Sequence, residues 1–299
     1  MTLTELRYVV AVAEARHFGQ AAERCFVSQP SLSASVKNLE EELGVRLVER
    51  GERGVVLTEA GEQIVAQARR ALEEADRVKT VARQGRDPLK GVLRLGIIHT
   101  VAPYLLPDLV GALRRGAPGM PLDVEENTTA TLDRMLKAGE LDAVILALPY
   151  DGPGIETVPL YEEVFRVVAP AKHALARKKT VAVEELDAGE LLLLPMGHCF
   201  RDQVLDACHE FSRPPEAGRQ GNSLETLRSM VASGLGVTVL PATALTPRHA
   251  NRLVRTIEFS PPRPVRRIAL ASRRGFHRPA ALEKLVAAIR GLDLPVKRL

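Results

Sequence analysis

Two cysteines of this 299-residue chain, Cys199 and Cys208, stand nine positions apart, and residues around the first favour an ionised thiol. His198 precedes Cys199, and a helix is predicted to begin near Phe200, so an imidazole and the positive end of a helix would both stabilise a thiolate. Asp202, or an ordered water, could supply a proton or hydrogen bonds to a departing group. A thiolate oxidised to a sulfenic acid could then condense with the second thiol into a disulfide.

The spacing of the two cysteines would make such a disulfide a structural switch. Nine residues of helix separate their Cα atoms by roughly 13.5 Å, whereas a disulfide requires a Cα separation of about 5.5–6 Å. If the segment between Cys199 and Cys208 is helical in the reduced protein, oxidation must unwind it. A local redox event would then become a two-state change of the surrounding domain.

Other interpretations of the cysteines are less specific. Both could be inert core thiols, and Cys25 is predicted to be a small buried hydrophobic residue. His198, Cys199, Cys208 and His209 could form a zinc site, but the gap between the cysteines exceeds the two to four residues usual between paired zinc cysteines. We therefore expect no metal and no cofactor.

The first sixty residues follow a pattern of helices and a short hairpin. Ser28 can cap a helix that has Pro30 in its first turn, and Gly44 is placed to end it. Two short apolar runs then flank a turn at residues 51–54, which predicts a β-wing. The apolar face of the capped helix is formed by Leu32, Val36, Leu39 and Leu43.

A long helix is predicted from Thr58 to about Gln84, followed by a linker at residues 85–88. Its apolar stripe has no obvious partner within the chain, so we expect this helix to pair with a second copy. The stripe consists of Ile64, Ala68, Leu72, Ala75, Val78 and Ala82.

From Gly91 onwards, strands alternate with helices. Residues 93–148 fit a βαβαβ pattern, which is typical of an open, mostly parallel sheet that binds ligands at the carboxyl ends of its strands. Further strands are predicted at residues 164–169, 191–194, 237–240 and 268–271. The fold class expected for this part is an α/β domain of two lobes.

Composition restricts the function further. The chain carries a net charge of +4, but residues 1–88 hold 13 Lys and Arg against 14 Asp and Glu, a net charge of −1. DNA binding by that part would need a local basic face. An aromatic content of 4% without Trp argues against single-strand stacking. No apolar run of about eighteen residues and no signal-peptide pattern occur, so we expect a cytoplasmic protein and no membrane partner.

The N-terminal segment resembles the signature of LysR-type transcriptional regulators. The matching stretches are residues 18–24 (FGQAAER), 27–33 (VSQPSLS), 39–47 (LEEELGVRL), 49–50 (ER) and 57–61 (LTEAG). The resemblance implies a winged helix-turn-helix over residues 1–58, a linker and dimerisation helix over 59–88, and a regulatory domain of the periplasmic-binding-protein type over 91–299. Lobe I would comprise about 91–162 and 267–299, and lobe II about 163–266.

In such a protein the helix behind Ser28 would enter the major groove of double-stranded DNA. Ser28 begins this DNA-binding segment, and the residues expected at base edges or thymine methyls are Gln29, Pro30, Ser33 and Ser35. Those expected at phosphates are Lys37, Arg50 and Arg53. The resemblance also implies a homotetramer, built as a dimer of dimers, with RNA polymerase as a further candidate partner.

Residues 197–203 (GHCFRDQ), followed by Cys208, resemble the peroxide-sensing, OxyR-like branch of this family. That resemblance implies that hydrogen peroxide oxidises Cys199, that Cys208 resolves the sulfenic acid, and that the regulator activates an oxidative-stress response. The peroxide-binding residues it implies are Thr100, Thr129 and Arg266. Spacing alone does not exclude Thr128 or Arg267, since neighbours on a strand face opposite ways.

Two other functions compete with this hypothesis. A LysR-type regulator could bind a small anionic metabolite between its lobes, with Thr100, Thr129 and Arg266 as its ligands. A thiol peroxidase or dithiol oxidoreductase would leave the DNA-binding signature unexplained, and two cysteines separated by eight residues do not form the Cys-x-x-Cys pattern. We therefore expect a regulator and not an enzyme.

Overall fold

The computed structural model describes residues 1–51, 54–84, 88–207 and 220–299, with side chains except at 50, 51, 54, 77 and 79–84. The chain forms two compact units, Met1–Asp87 and Pro88–Leu299. Among the described residues, no helix is long and apolar enough to cross a membrane.

The described residues of the N-terminal unit form four helices and one two-stranded antiparallel hairpin. The elements are α1 (Leu3–Ala15), α2 (Phe18–Arg24), α3 (Gln29–Leu43), β1 (Val48–Gly51), β2 (Gly54–Leu57) and α4 (Glu59–Gln84). Gly44 ends α3 at a φ of 70°, a left-handed conformation that glycine adopts at little cost.

The first half of α4 packs within the chain. Val65 and Ala68 are buried against Leu6 and Val9 of α1, and Arg69 forms an ion pair of 2.9 Å with Glu14. The apolar stripe of α4 was expected to have no partner inside the chain. That expectation holds for Val78, which is 70% exposed, but is wrong for Ile64, Ala68 and Leu72, which join this core.

The C-terminal unit begins with the predicted βαβαβ order. These elements are β3 (Leu93–Ile98), α5 (Ala102–Gly116), β4 (Leu122–Asn127), α6 (Thr129–Lys137) and β5 (Ala143–Leu148). β3 lies between β4 and β5 and is parallel to both. The carboxyl ends of β3 and β4 therefore meet at one edge of the sheet.

The rest of this unit adds seven strands and three helices among the described residues. These elements are β6 (Ile155–Pro170), β7 (Thr180–Val181), β8 (Leu191–Leu192), α7 (Cys199–Ala207), α8 (Leu224–Ala232), β9 (Val237–Pro241), β10 (Val254–Phe259), β11 (Val265–Arg273), α9 (Pro279–Arg290) and β12 (Lys297–Arg298). Two separate hydrophobic clusters underlie them, as expected for two lobes.

The long strands β6 and β11 make the sheet mixed. β11 is antiparallel to both β5 and β6, while the second half of β6 is antiparallel to β9 and β10. β6 thus runs from one hydrophobic cluster to the other. Side chains near its midpoint can reach both lobes.

Candidate functional site

Three chain segments meet around one small cavity in the C-terminal unit. Its volume is about 10 Å³, which leaves room for a ligand of about the size of a water molecule. One segment follows β3, one joins β4 to α6, and one begins α7. The lining residues are Ile98, His99, Thr100, Asn127, Thr128, Thr129, His198, Cys199 and Phe200.

Cys199 is the first residue of α7 and a partly buried free thiol. The amides of the first turn point toward this end of the helix and give it a partial positive charge. Burial, and secondarily His99, lower the pKa of the half-buried His198. A neutral imidazole beside the thiol can accept its proton. Asp202 is exposed and does not line the cavity.

Arg266 is buried and fixes the position of Thr100. Its Nη1 donates to Thr100 Oγ1 at 2.8 Å, and its Nη2 donates to the Thr100 carbonyl oxygen at 3.1 Å. The guanidinium also lies 4.8 Å from the centroid of the Phe200 ring. The neighbouring Arg267 is exposed and pairs with Glu162 at 3.0 Å. Of the two arginines that spacing left open, Arg266 is the one that contacts the cavity wall.

Sequence reasoning missed the carboxylate that pairs with this arginine. Glu163 lies on β6, fully buried, and its Oε1 accepts from Arg266 Nε at 2.8 Å. Its Oε2 accepts from the hydroxyl and backbone N–H of Thr243, at 2.7 and 3.2 Å, in the turn after β9. Glu163 comes just before the strand predicted at 164–169. The signal available in the sequence was a charged residue next to a predicted apolar strand.

The two neighbouring threonines at the start of α6 have different environments. Thr128 caps the helix, its Oγ1 accepting from the Thr131 N–H at 3.4 Å. Thr129 Oγ1 is buried and has no hydrogen-bond partner. A buried hydroxyl without a partner is costly. Thr129 is therefore the threonine with hydrogen-bonding capacity left for a ligand in the cavity.

A second missed pair lies on the cavity rim. His99 Nδ1 is 3.1 Å from Glu126 Oε1, and the His99 ring centroid is 5.4 Å from that of His198. From sequence, His99 could be taken for a surface residue at a strand end. Its identity as a titratable residue next to Thr100 was the available signal.

The predicted resolving cysteine lies outside the described residues, as does His209 of the alternative zinc site. The structure describes α7 as far as Ala207, so the first nine residues from Cys199 onward are helical. Among the described residues, no group of three or more His, Cys, Asp or Glu side chains is placed to hold a metal ion.

The predicted DNA-reading helix has a fully exposed beginning. Ser28 caps α3 by accepting from the Ser31 N–H at 3.4 Å. Ser28, Gln29 and Pro30 are exposed, whereas Ser33 and Ser35 are half-buried. The opposite face of α3, formed by Leu32, Val36 and Leu39, is buried.

The basic residues predicted at phosphates are only partly described. Lys37 is exposed and lies 3.4 Å from Glu41 on the next turn of α3. Arg50 belongs to β1, but its side chain is outside the described part of the chain. Arg53 lies outside the described residues.

Comparison with known proteins places both units in one family. Residues 3–62 match the family described as bacterial regulatory helix-turn-helix protein, lysR family, and residues 86–293 match the LysR substrate binding domain. The chain is 44% identical to the probable hydrogen peroxide-inducible genes activator of Streptomyces viridosporus, covering 99% of this chain and 96% of that one.

Two solved structures are similar over nearly the whole length. One is a full-length OxyR variant from Pseudomonas aeruginosa, with a TM-score of 0.84 and 48% identity, covering 98% of this chain and 96% of that chain. The other is an H2O2-bound OxyR variant from Corynebacterium glutamicum, with a TM-score of 0.66 and 34% identity, covering 97% and 91%. The predicted fold class is confirmed by these comparisons.

Proposed function

This chain belongs to the LysR family of bacterial helix-turn-helix regulators, and we propose that it is a DNA-binding regulator that senses hydrogen peroxide through Cys199. The observation that carries the proposal is the placement of Cys199. It begins a helix and lines a cavity of about 10 Å³ together with a fixed Thr100 hydroxyl and an unpartnered Thr129 hydroxyl. A thiol and two hydroxyls around so small a space suit a small polar oxidant.

The proposed reaction begins with peroxide held by Thr100 and Thr129. The Cys199 thiolate attacks one oxygen, an S–O bond forms, the O–O bond breaks, and the distal oxygen leaves as hydroxide that is protonated to water. Arg266 supports this arrangement by fixing Thr100, since its charge is already paired with Glu163.

The Cys208 thiol then condenses with the sulfenic acid and releases water, which leaves a disulfide. Because α7 is helical from Cys199 to Ala207, forming that bond would require the helix to open. We propose that α7 has a closed, helical state and an open state, and that oxidation shifts the equilibrium to the open state.

The proposed output is altered binding to double-stranded DNA. The exposed start of α3 carries Ser28, Gln29 and Pro30 for base contacts, with Ser33 and Ser35 further along the helix. Lys37, Arg50 and Arg53 are the proposed phosphate contacts. The regulator would act in the cytoplasm as a dimer of dimers, engage RNA polymerase as an activator, and turn over peroxide only once per reduction, unlike an enzyme.

The structure around Thr100, Thr129 and Arg266 does not favour the alternative, in which these residues bind a small anionic metabolite. The cavity at Thr100 and Thr129 is far smaller than the roughly 300–1,000 Å³ typical of organic-ligand sites. Arg266 is already engaged by a buried carboxylate and by Thr100, so it is not free to bind an anionic effector.

A footprinting experiment tests the proposal. Reduced full-length protein is bound to its operator and treated with one equivalent of hydrogen peroxide, and the protected region is mapped before and after. We expect the footprint to change in the parent and in Cys25→Ser, whose cysteine belongs to the N-terminal unit and is not among the residues that line the cavity. Cys199→Ser should bind DNA with an unchanging footprint. A Cys199→Ser protein that still responds to peroxide contradicts the proposal.

A further inference from the structure

Oxidation of Cys199 requires a proton donor, and the residue expected to help from sequence is not in place. The electron pair of the broken O–O bond departs with the distal oxygen as hydroxide, which must acquire a proton to leave as water. Asp202 is exposed and outside the cavity lining. Thr100 and Thr129 can orient peroxide, but a neutral hydroxyl cannot deliver a net proton at neutral pH.

We propose that His99, held by Glu126, donates this proton across the cavity to the departing oxygen. The proposal rests on the proposed peroxide chemistry of Cys199. His99 follows β3 directly, adjoins Thr100 in sequence and lines the same cavity as Cys199. Its Nδ1 faces Glu126 Oε1 at 3.1 Å, which leaves Nε2 as the ring nitrogen available to the cavity.

The histidine pair suits the storage of a single proton. Two imidazoles with ring centroids 5.4 Å apart repel each other when both are charged, so a state with both rings protonated is disfavoured. Burial, and secondarily His99, lower the pKa of His198, which keeps this ring neutral next to the thiol. The Glu126 carboxylate lies against His99, so His99 is the ring of the pair with a carboxylate partner.

The charged and titratable groups around His99 come from several elements of the C-terminal unit. Glu126 faces it from β4, His198 from the segment before α7, and Cys199 from the first turn of α7. Arg266 approaches from β11 through Thr100, but its charge is balanced by the buried Glu163. Glu126 is thus the carboxylate that lies within hydrogen-bond distance of His99.

The proton transfers balance without any further reactant. The Cys199 thiol gives its proton to the histidine pair, sulfur attacks and is oxidised to the sulfenic acid, and peroxide is reduced as its O–O bond breaks. His99 returns one proton to the departing hydroxide. The net reaction converts one thiol and one hydrogen peroxide into one sulfenic acid and one water.

The pH dependence of sulfenic acid formation tests the role of His99. The second-order rate constant is measured from pH 5 to 9, about the range in which histidine and cysteine titrate, in full-length protein carrying Cys208→Ser so that the reaction stops at the sulfenic acid. The parent should give a bell-shaped profile. The rate should rise with pH as the reactive thiolate forms, and fall at higher pH as the proton donor is deprotonated. His99→Gln should lower the rate roughly tenfold at neutral pH, which is less than the roughly 10²–10⁴-fold that a positioned acid contributes, because water can partly substitute for it. The descending alkaline limb should be lost.

Glu126→Gln gives a second, milder test, since it keeps the size and hydrogen-bonding shape of the carboxylate. The descending limb should move to lower pH because the protonated imidazole loses its counter-charge. His173→Gln is the matched control, because His173 pairs with Glu190 at the same 3.1 Å and is not among the residues that line the cavity. This control should reproduce the parent profile.

The outcomes separate the two proposals. A parent that forms no sulfenic acid with peroxide overturns the proposed function and this inference with it. A parent that reacts normally while His99→Gln keeps the same rate and both limbs overturns only the role of His99. Thiolate titration of Cys199 in each variant distinguishes a lost proton donor, which leaves the thiolate fraction unchanged, from a disturbed thiol, which would contradict the assignment.

Discussion

At the scale of single residues, the site depends on which of two adjacent side chains is engaged elsewhere. The Thr128 hydroxyl caps α6, while the Thr129 hydroxyl is buried without a partner. Arg267 is exposed, while Arg266 is buried and holds Thr100. The sequence places all four residues near the ends of strands. Which threonine keeps a free hydroxyl depends on helix capping, and which arginine is buried depends on strand facing; spacing alone could not decide either.

Replacing Thr129 with Val should slow oxidation of Cys199 without weakening the fold. Loss of one hydrogen bond of about 1 kcal/mol to peroxide predicts a rate roughly fivefold lower. Stability should stay equal or rise, because a buried hydroxyl without a partner is replaced by a methyl group. Stopped-flow oxidation kinetics and denaturant unfolding measure the two effects.

The adjacent Thr128→Val provides the opposite pattern. It removes the α6 cap and should cost about 1 kcal/mol of stability, with little change in the oxidation rate. Equal rates for Thr129→Val and the parent would mean that the Thr129 hydroxyl does not bind peroxide.

The buried ion pair predicts a large stability effect from one small substitution. Glu163→Gln leaves Arg266 buried without its counter-charge and should destabilise the C-terminal unit by about 3–5 kcal/mol. Glu162→Gln breaks only the more exposed pair with Arg267 and should cost about 0–1 kcal/mol. Denaturant unfolding of both variants compares them directly. Similar losses of stability in the two variants would show that the buried ion pair stabilises the protein no more than the exposed one.

At the scale of elements, helices could be predicted from local capping and periodicity, whereas the full length of the long strand β6 could not. The capped helix behind Ser28 and the long helix to Gln84 lie where capping and periodicity predicted them. The first half of β6 was missed because its residues are mostly exposed or charged, and it becomes a strand through pairing with distant segments, chiefly β11. That pairing is what delivers Glu163 to Arg266. The missed half of the strand therefore explains the missed carboxylate.

Gly61 in the first turn of α4 is required by a close approach of two backbones. A Cβ there would lie 2.0 Å from the Leu47 carbonyl oxygen. Gly61→Ala should therefore destabilise the N-terminal unit by about 1–3 kcal/mol, as overpacking does, and weaken DNA binding. Hydrogen exchange resolved by peptide should show the loss confined to residues 1–87.

Gly111 in the middle of α5 is the matched control. A Cβ there would meet only the Arg115 side chain, at 3.6 Å, an ordinary contact. Gly111→Ala should stabilise α5 by about 0.5–1 kcal/mol through helix propensity. If both alanines are equally tolerated, the close approach at Gly61 is not a constraint on the fold.

The opening of α7 can be tuned at Asp206, the exposed residue of its last turn. Asp206→Gly and Asp206→Ala remove the same carboxylate, but glycine weakens the helix by up to about 1 kcal/mol relative to alanine. The glycine variant should therefore form the disulfide from the sulfenic acid up to about fivefold faster than the alanine variant. Loss of free thiols after quenching measures this step. Equal rates would mean that the sulfurs join without opening the helix.

At the scale of the whole molecule, the two units differ in how far sequence could specify their function. In the N-terminal unit, the residues proposed at base edges lie along one continuous helix, so their signature is visible as a contiguous motif. The cavity of the C-terminal unit draws residues from segments about a hundred positions apart in the chain, such as Thr100 and Cys199. Its principal thiol and threonines could be predicted through resemblance. His99, Glu126 and Glu163 became apparent only from their contacts.

Counting and mapping thiols by mass spectrometry before and after one equivalent of hydrogen peroxide tests the central claim most directly. The account predicts that the peptides containing Cys199 and Cys208 are recovered as one cross-linked species, two hydrogens lighter than their sum, while Cys25 remains alkylatable. Recovery of all three cysteines as free thiols after peroxide treatment would contradict it.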